Sequence, residues 1–113
     1  MGLTPPGLSD ATAAQLRRTL VGSVILMGNQ PLGVAGVRTL VDQLTAISPE
    51  AFLVVAADQE GGQVQRLTGP GFSDIPPAVV QTQQDPATLT ANWVTWGSQL
   101  AQAGVRYDLA PVA

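Results

Sequence analysis

The sequence predicts an α/β fold in which a small parallel β-sheet carries crossover helices. Segment 52–57, FLVVAA, holds no polar residue and is rich in branched side chains, which is typical of a strand covered on both faces. Helix-like and strand-like patterns alternate along the chain, and this order indicates right-handed βαβ units. The 113 residues, of which 45% are apolar and 12% charged, suffice for one globular domain with one core.

The first half of the chain predicts a helix, a strand and a second helix. Ser9 is placed to cap a helix that runs to about Leu20. Residues 21–27 are strand-like, and the turn residues of 28–31 end that strand. Apolar residues then recur at helical spacing until the chain reaches Pro49. These residues are Val34, Val37, Leu40, Val41, Leu44 and Ile47.

After the apolar run, the chain predicts a long loop and a third helix. Residues 67–85 contain so many glycines and prolines that no regular structure is expected there, and a loop of this length is often functional. Asp85 and Pro86 provide the cap and the first residue of a helix. It runs to about Ala103, where Gly104 serves as a left-handed terminator. Its predicted buried stripe consists of Leu89, Trp93, Trp96 and Leu100.

Residues 105–109 alternate with period two and predict the third strand. One face carries Arg106 and Asp108, and the other carries Val105, Tyr107 and Leu109. Three strands make a small sheet, whereas a complete (β/α)8 barrel needs about eight βα units and roughly 250 residues. The chain therefore forms a small open sheet or is part of something larger. The open edges of such a sheet invite self-association.

Composition excludes several classes of function. Eight acids against five arginines give a formal charge of -3, so the chain has no basic surface for a nucleic acid. It contains neither cysteine nor histidine, which removes disulfides, thiolate chemistry and the commonest metal ligand. No apolar run approaches the roughly 18 residues of a membrane span, and the start of the chain lacks the pattern of a signal peptide. We therefore expect no metal, no cofactor, no nucleic acid and no membrane contact in this chain.

The sequence DQEGG, residues 58–62, follows the central apolar strand directly. Ligands of parallel sheets gather at the carboxyl ends of the strands, which is where Asp58 is predicted to lie. The glycine pair lets the backbone turn sharply and approach another group closely. These features predict a binding site that opens at Asp58.

Other interpretations of the acidic motif also have to be considered. In extended chain, Asp58 and Glu60 would lie roughly 6.5 to 7 Å apart, near the spacing of an inverting glycosidase pair. We expect Gly61 and Gly62 to turn the chain before Glu60 can share a face with Asp58, which argues against a catalytic pair. Arg66 and Glu60 form either part of a binding site or a surface ion pair worth at most ~1 kcal/mol.

Three motifs carry a resemblance to a known family. They are residues 58–66 (DQEGGQVQR), 71–76 (GFSDIP) and 103–112 (AGVRYDLAPV). In this order they resemble the N-terminal part of glycoside hydrolase family 3, in its β-N-acetylhexosaminidase branch. The likeness covers nearly the whole chain from about Val21. It implies a TIM barrel and retaining hydrolysis, with an aspartate nucleophile and an aspartate-histidine acid/base pair on a mobile loop.

The resemblance also implies roles for single residues. Asp58 and Arg66 match family positions that bind the terminal N-acetylhexosamine, with Asp58 accepting hydrogen bonds from ring hydroxyls. Asp108 matches an inward-facing position on the next strand, and Glu60 matches a position that we interpret as structural. Arg106 stands where the family often has a smaller polar residue. The predicted substrate-binding residues are therefore Asp58, Arg66 and Asp108.

No catalytic residue is expected within these 113 residues. The family's lysine-histidine motif, acid/base loop and nucleophile lie downstream of the last predicted strand, and the first barrel strand is expected to be missing. Residues 1–113 are thus predicted to be a single N-terminal fragment of a partial TIM (β/α)8 barrel with about three parallel strands. As a portion of a retaining β-N-acetylhexosaminidase in cell-wall glycan turnover, it would bind an N-acetylhexosamine-containing glycan without hydrolysing it. The alternative is a non-catalytic α/β saccharide-binding module or remnant that self-associates.

Overall fold

The computed structural model describes residues 1–3, 8–47 and 52–111. Four parallel strands of these residues form one sheet, in the order β1-β2-β3-β6, and β4 and β5 form an antiparallel pair. The strands are β1 Gly2–Leu3, β2 Ser23–Leu26, β3 Val54–Ala57, β4 Gln59–Gly61, β5 Val64–Gln65 and β6 Tyr107–Asp108. The helices are α1 Asp10–Thr19, α2 Gly33–Ile47, α3 Ala78–Gln81 and α4 Pro86–Gln102. The predicted parallel sheet with crossover helices is confirmed.

The expectation that the first barrel strand is missing is wrong. Gly2 pairs with Ile25 and Leu3 with Leu26, so that β1 lies parallel to β2. The amide of Ile25 also donates to the carbonyl of Met1 at 2.7 Å. A strand of two residues is too short to show alternation in the sequence, and only its pairing identifies it.

Local signals set the ends of two helices as predicted. The Ser9 side chain accepts from the amide of Thr12 at 3.1 Å at the start of α1. Asp85 caps α4 by accepting from the amides of Ala87 and Thr88 at 3.1 and 3.0 Å. Beyond α4, Gly104 has a φ of 82°, which is the left-handed conformation expected of a terminator.

The core lies between α2 and the sheet. Val37 and Leu44 of α2 are fully buried, as are Leu26 of β2 and Ala57 of β3. The helical spacing of the apolar residues therefore predicted the buried face of α2 correctly.

The stripe predicted for α4 is buried only in part. Trp96 and Leu100 are buried, whereas Leu89 and Trp93 are half-buried. The two tryptophan rings meet edge to face, with centroids 5.0 Å apart. Both rings therefore serve packing, with the Trp93 indole also donating to Gln81 Oε1 at 3.1 Å.

The third predicted strand is shorter and more exposed than its alternation suggests. Val105 is buried, but Tyr107 is 58% and Leu109 42% exposed. The reason is that β6 is an edge strand of the sheet formed by the described residues and pairs with β3 on one side only. Alternation sorts side chains to two faces, but a neighbouring element decides whether a face is covered.

Candidate functional site

The carboxyl ends of β3 and β6 bring two of the predicted residues together. Asp58 follows Ala57, the last residue of β3, and Asp108 pairs in register with that same alanine. Asp108 Oδ1 accepts a hydrogen bond from the amide of Gln59 at 3.0 Å. Both aspartates are half-buried. The parallel register therefore places the two aspartates at the same, carboxyl end of the neighbouring strands β3 and β6.

The hairpin formed by β4 and β5 sets the position of Glu60. Its turn falls at Gly62 and Gln63, after Glu60 rather than before it. Gly61 has a φ of 100°, and a Cβ there would lie 2.9 Å from the carbonyl oxygen of Ile75 and closer still to that of Pro76. Glycine is thus required both by conformation and by space.

The charges of Glu60 and Asp58 influence each other. Burial is the main cause that raises the pKa of Glu60, followed by the negative charge of Asp58 and a side-chain hydrogen bond with it. The two carboxyl groups therefore belong to one charge cluster.

Asp108 belongs to the same cluster. Burial raises its pKa, and the charge of Asp58 adds to the effect, while the hydrogen bond from Gln59 opposes it. The charge of Asp108 in turn contributes to the raised pKa of Glu60. We call Asp58, Glu60 and Asp108 the acidic cluster.

One oxygen of the acidic cluster lacks a partner within the part of the chain that the structure describes. Asp58 Oδ1 is buried and accepts no hydrogen bond from the described residues. A buried carboxylate oxygen without a donor costs free energy. A ligand that brings a hydroxyl or amide donor would remove this cost.

Arg66 lies next to the acidic cluster. It follows β5 directly and is half-buried. Its amide donates to the carbonyl of Asp58 at 3.2 Å, and its carbonyl accepts from the amide of Gln30 at 2.7 Å. The charge of Arg66 lowers the pKa of Glu60, against the causes that raise it.

The surface ion pair between Arg66 and Glu60, left open by the sequence, is not formed. Across residues 1–3, 8–47 and 52–111, the ion pair present joins Arg38 and Asp42 on α2 at 3.0 Å. Instead, the positive charge of Arg66 lowers the pKa of Glu60, and its backbone amide donates to the carbonyl of Asp58.

Glutamine side chains hold the segment that surrounds the cluster, and sequence reasoning missed them. Gln59 Nε2 donates to the carbonyl of Leu67 at 2.8 Å, and its Oε1 accepts from the amide of Leu67 at 2.9 Å. Gln65 donates to the carbonyl of Ser73 at 2.8 Å and accepts from the amide of Ile75 at 2.8 Å. Their only signal in the sequence is the frequency of glutamine around the acidic motif.

Two further glutamines extend this network to α3 and α4. Gln81 Nε2 donates to the carbonyls of Glu60 and Pro76 at 3.0 and 2.7 Å. Gln99 accepts from the amide of Ser73 at 2.9 Å and donates to its hydroxyl at 2.8 Å. Gln81 lies on α3, a short helix inside the segment where no regular structure was expected. That expectation is wrong for residues 78–81, and the two bonds of Gln81 attach this helix to β4 and to the chain before it.

Other features lie away from the acidic cluster. A cavity of about 550 Å³ opens at the amino end of β3, lined by residues that include Arg38, Leu53 and Arg106. Among the described residues, no group of three or more acidic, histidine or cysteine side chains is arranged to hold a metal ion. No helix within the described ranges is long and apolar enough to cross a membrane.

A parallel β/α sheet with a polar site at the carboxyl ends of its strands is the general arrangement of ligand sites in α/β folds, and the chain is similar to solved glycosidase structures. A β-N-acetylhexosaminidase from Beutenbergia cavernae is 45% identical with a TM-score of 0.90, over 97% of this chain and 34% of that chain. A glycoside hydrolase family 3 β-N-acetylglucosaminidase from a Paenibacillus species is 28% identical with a TM-score of 0.79, over 97% of this chain and 22% of that one.

Curated relatives agree with the structures. A β-hexosaminidase of Alkalilimnicola ehrlichii is 35% identical over 99% of this chain, and one of Chromobacterium violaceum is 31% identical over 93% of it. The chain spans 34% and 31% of these relatives' own lengths. No family model matches. The resemblance to glycoside hydrolase family 3 and its β-N-acetylhexosaminidases is thereby confirmed over nearly the whole chain, as is the partial barrel.

Proposed function

We propose that residues 1–113 form one unit of the N-terminal barrel domain of a retaining β-N-acetylhexosaminidase, and that this unit holds the terminal N-acetylhexosamine of a glycan. The observation that carries the proposal is the buried, unpartnered Oδ1 of Asp58 at the carboxyl end of β3. The names of the relatives support the class of substrate. Cell-wall glycan turnover is the process in which we place it.

The chemistry of the site suits a sugar. Ionised carboxylates accept hydrogen bonds and donate none, so Asp58 pairs with sugar hydroxyls. Arg66 supplies donors and a positive charge beside the acidic cluster. Asp108, already bonded to the amide of Gln59, lines the same edge with its carboxylate. In this proposal Asp58, Arg66 and Asp108 bind substrate.

Hydrolysis is not expected from these 113 residues, which contain no histidine. The mechanism implied by the family needs an aspartate-histidine pair for proton transfer. The 113 residues contain no histidine that could pair with an aspartate of the acidic cluster. A purified sample of this chain should release no chromophore from a chromogenic β-N-acetylglucosaminide. Measurable release, after removal of contaminating enzymes, would refute this part of the proposal.

Sugar binding is tested by nuclear magnetic resonance of the 113-residue protein titrated with N-acetylglucosamine. We expect amide signals of Asp58, Arg66 and Asp108 to shift with a saturating dependence on sugar concentration. Asp58→Asn should weaken binding by about tenfold, the loss of one hydrogen bond to a charged group. Asp42→Asn, on the exposed face of α2, is the control and should bind as the wild type does. Shifts that are absent, or that cluster away from Asp58, would contradict the proposal.

A second candidate function is a non-catalytic saccharide-binding module that self-associates, and the exposure of β6 favours it. Tyr107 and Leu109 leave apolar surface at the edge strand, where another strand could pair. Sedimentation velocity would then show a dimer that Tyr107→Lys disperses. A monomer at all concentrations would rule this candidate out.

A further inference from the structure

Gln59 is linked to each of the three predicted sugar-binding residues, either along the chain or through a hydrogen bond. It follows Asp58 in the chain, and its amide donates to Asp108 Oδ1 at 3.0 Å. Its side-chain amide binds both the amide and the carbonyl of Leu67, at 2.9 and 2.8 Å. Leu67 directly follows Arg66. One side chain and its backbone therefore connect the positions of Asp58, Arg66 and Asp108.

The environment of Gln59 gives it one well-defined position. The residue is only 2% exposed, so water cannot replace the bonds of its side-chain amide. Both ends of that amide are satisfied by the same residue, which fixes its orientation as well as its location. Leu67 itself is fully buried and belongs to the core. These two hydrogen bonds thus attach the β4–β5 hairpin, which contains Glu60 and is followed by Arg66, to the buried core.

We propose that Gln59 is a positioning residue that sets the distances between Asp58, Arg66 and Asp108, so that their groups converge on one sugar. The link to a sugar rests on the proposed function. The positioning itself can be measured without any sugar. Gln59 touches no substrate in this proposal and acts through the residues beside it.

The decisive experiment compares Gln59→Met with Gln99→Met. Each variant removes two side-chain hydrogen bonds to a single residue of the surrounding segment, Leu67 for Gln59 and Ser73 for Gln99. Of the two, only Gln59 bonds directly to a sugar-binding residue, through its amide to Asp108 Oδ1. Two quantities are measured in each variant: the dissociation constant for N-acetylglucosamine and the carboxyl titration of Asp108, both by nuclear magnetic resonance. Thermal unfolding shows that each variant is folded.

We expect Gln59→Met to weaken sugar binding by about tenfold, since a displaced Asp58 or Arg66 loses a charged hydrogen bond. The pKa of Asp108 should rise further, because the hairpin no longer holds the amide of Gln59 against Oδ1. Gln99→Met should lower thermal stability but leave both quantities at their wild-type values. If Gln59→Met does not fold, Gln59→Asn replaces it, because it keeps the amide but is one methylene too short to reach Leu67.

The outcomes separate the two proposals. Wild-type binding with an unchanged Asp108 titration in a folded Gln59 variant would overturn the positioning role, as would equal effects in the Gln59 and Gln99 variants. If the wild-type chain binds no N-acetylglucosamine, the proposed function fails, and the titration of Asp108 still decides the role of Gln59.

Discussion

The helix α2 and the segment 67–85 are held in place by different combinations of contacts. α2 presents a fully apolar face, with Val37 and Leu44 completely buried. The segment 67–85 buries Leu67 and Ile75, and in addition the side-chain amides of glutamines bind its backbone. Apolar packing is non-directional, whereas hydrogen bonds fix both distance and angle. Directional contacts are therefore concentrated in the segment next to the acidic cluster, where the placement of neighbouring groups matters most.

The largest expected effect tests the apolar half of this comparison. Leu44→Ala removes a fully buried side chain of α2 and should lower the free energy of unfolding by about 2–5 kcal/mol, through lost transfer energy and the cavity left behind. Urea denaturation followed by circular dichroism measures it. A loss below that of a surface substitution would show that α2 is not the centre of the core.

The next effect tests the hydrogen-bonded half. Gln81→Met leaves the carbonyls of Glu60 and Pro76 and the Trp93 indole without their partner, which should cost about 1–3 kcal/mol. The same denaturation experiment applies. The control is Gln83→Met, two residues further along and exposed, which should change little. Equal losses in the two variants would mean that glutamine content, rather than the specific bonds of Gln81, stabilises the segment.

A smaller expected effect is a change in how the free energy of unfolding depends on pH. Because the folded protein raises the pKa of Glu60, the folded state binds its proton more tightly than the unfolded state does. The free energy of unfolding should therefore fall as pH rises from the ordinary glutamate value of about 4.3 through the raised one. Glu60→Gln should reduce this fall, as measured by denaturation at a series of pH values. Asp74→Asn, at an exposed loop position, is the control, and an unchanged slope in Glu60→Gln would argue against the acidic cluster.

The smallest expected effect is the loss of stability when an exposed apolar side chain is shortened. Val94 of α4 is 64% exposed, so Val94→Ala should change the free energy of unfolding by no more than about 0.5 kcal/mol. The measurement is the same urea titration. A loss comparable to that of Leu44→Ala would indicate that this face of α4 is covered in solution by another protein surface.

Much of the fold follows from short-range patterns in the sequence. The cap at Ser9, the cap at Asp85 and the terminator at Gly104 each depend on a few adjacent residues, and all three were predicted. The apolar face of α2 repeats at helical spacing, which is a property of the sequence itself. The motif at residues 58–62 also indicated where the site lies, because it follows a strand that can be recognised by its composition.

Other features depended on residues that are far apart in the chain. β1 is a strand only because it pairs with β2. The hairpin that carries Glu60 turns at Gly62, and Ile75 and Pro77 lie against its two glycines. The bond from Gln99 to Ser73 spans 26 residues.

The sequence alone therefore determined the order of the longer helices α1, α2 and α4 and of the strands β2, β3 and β6. It also determined the buried face of α2 and the location of the acidic motif, because caps, terminators and periodic burial are local. Tertiary structure alone decided which carboxyl groups meet, which oxygen of Asp58 lacks a partner and how the glutamines hold the segment around them. A glutamine has no preferred partner until the fold brings a backbone amide and a carbonyl within its reach, and this is why these contacts leave no pattern in the sequence.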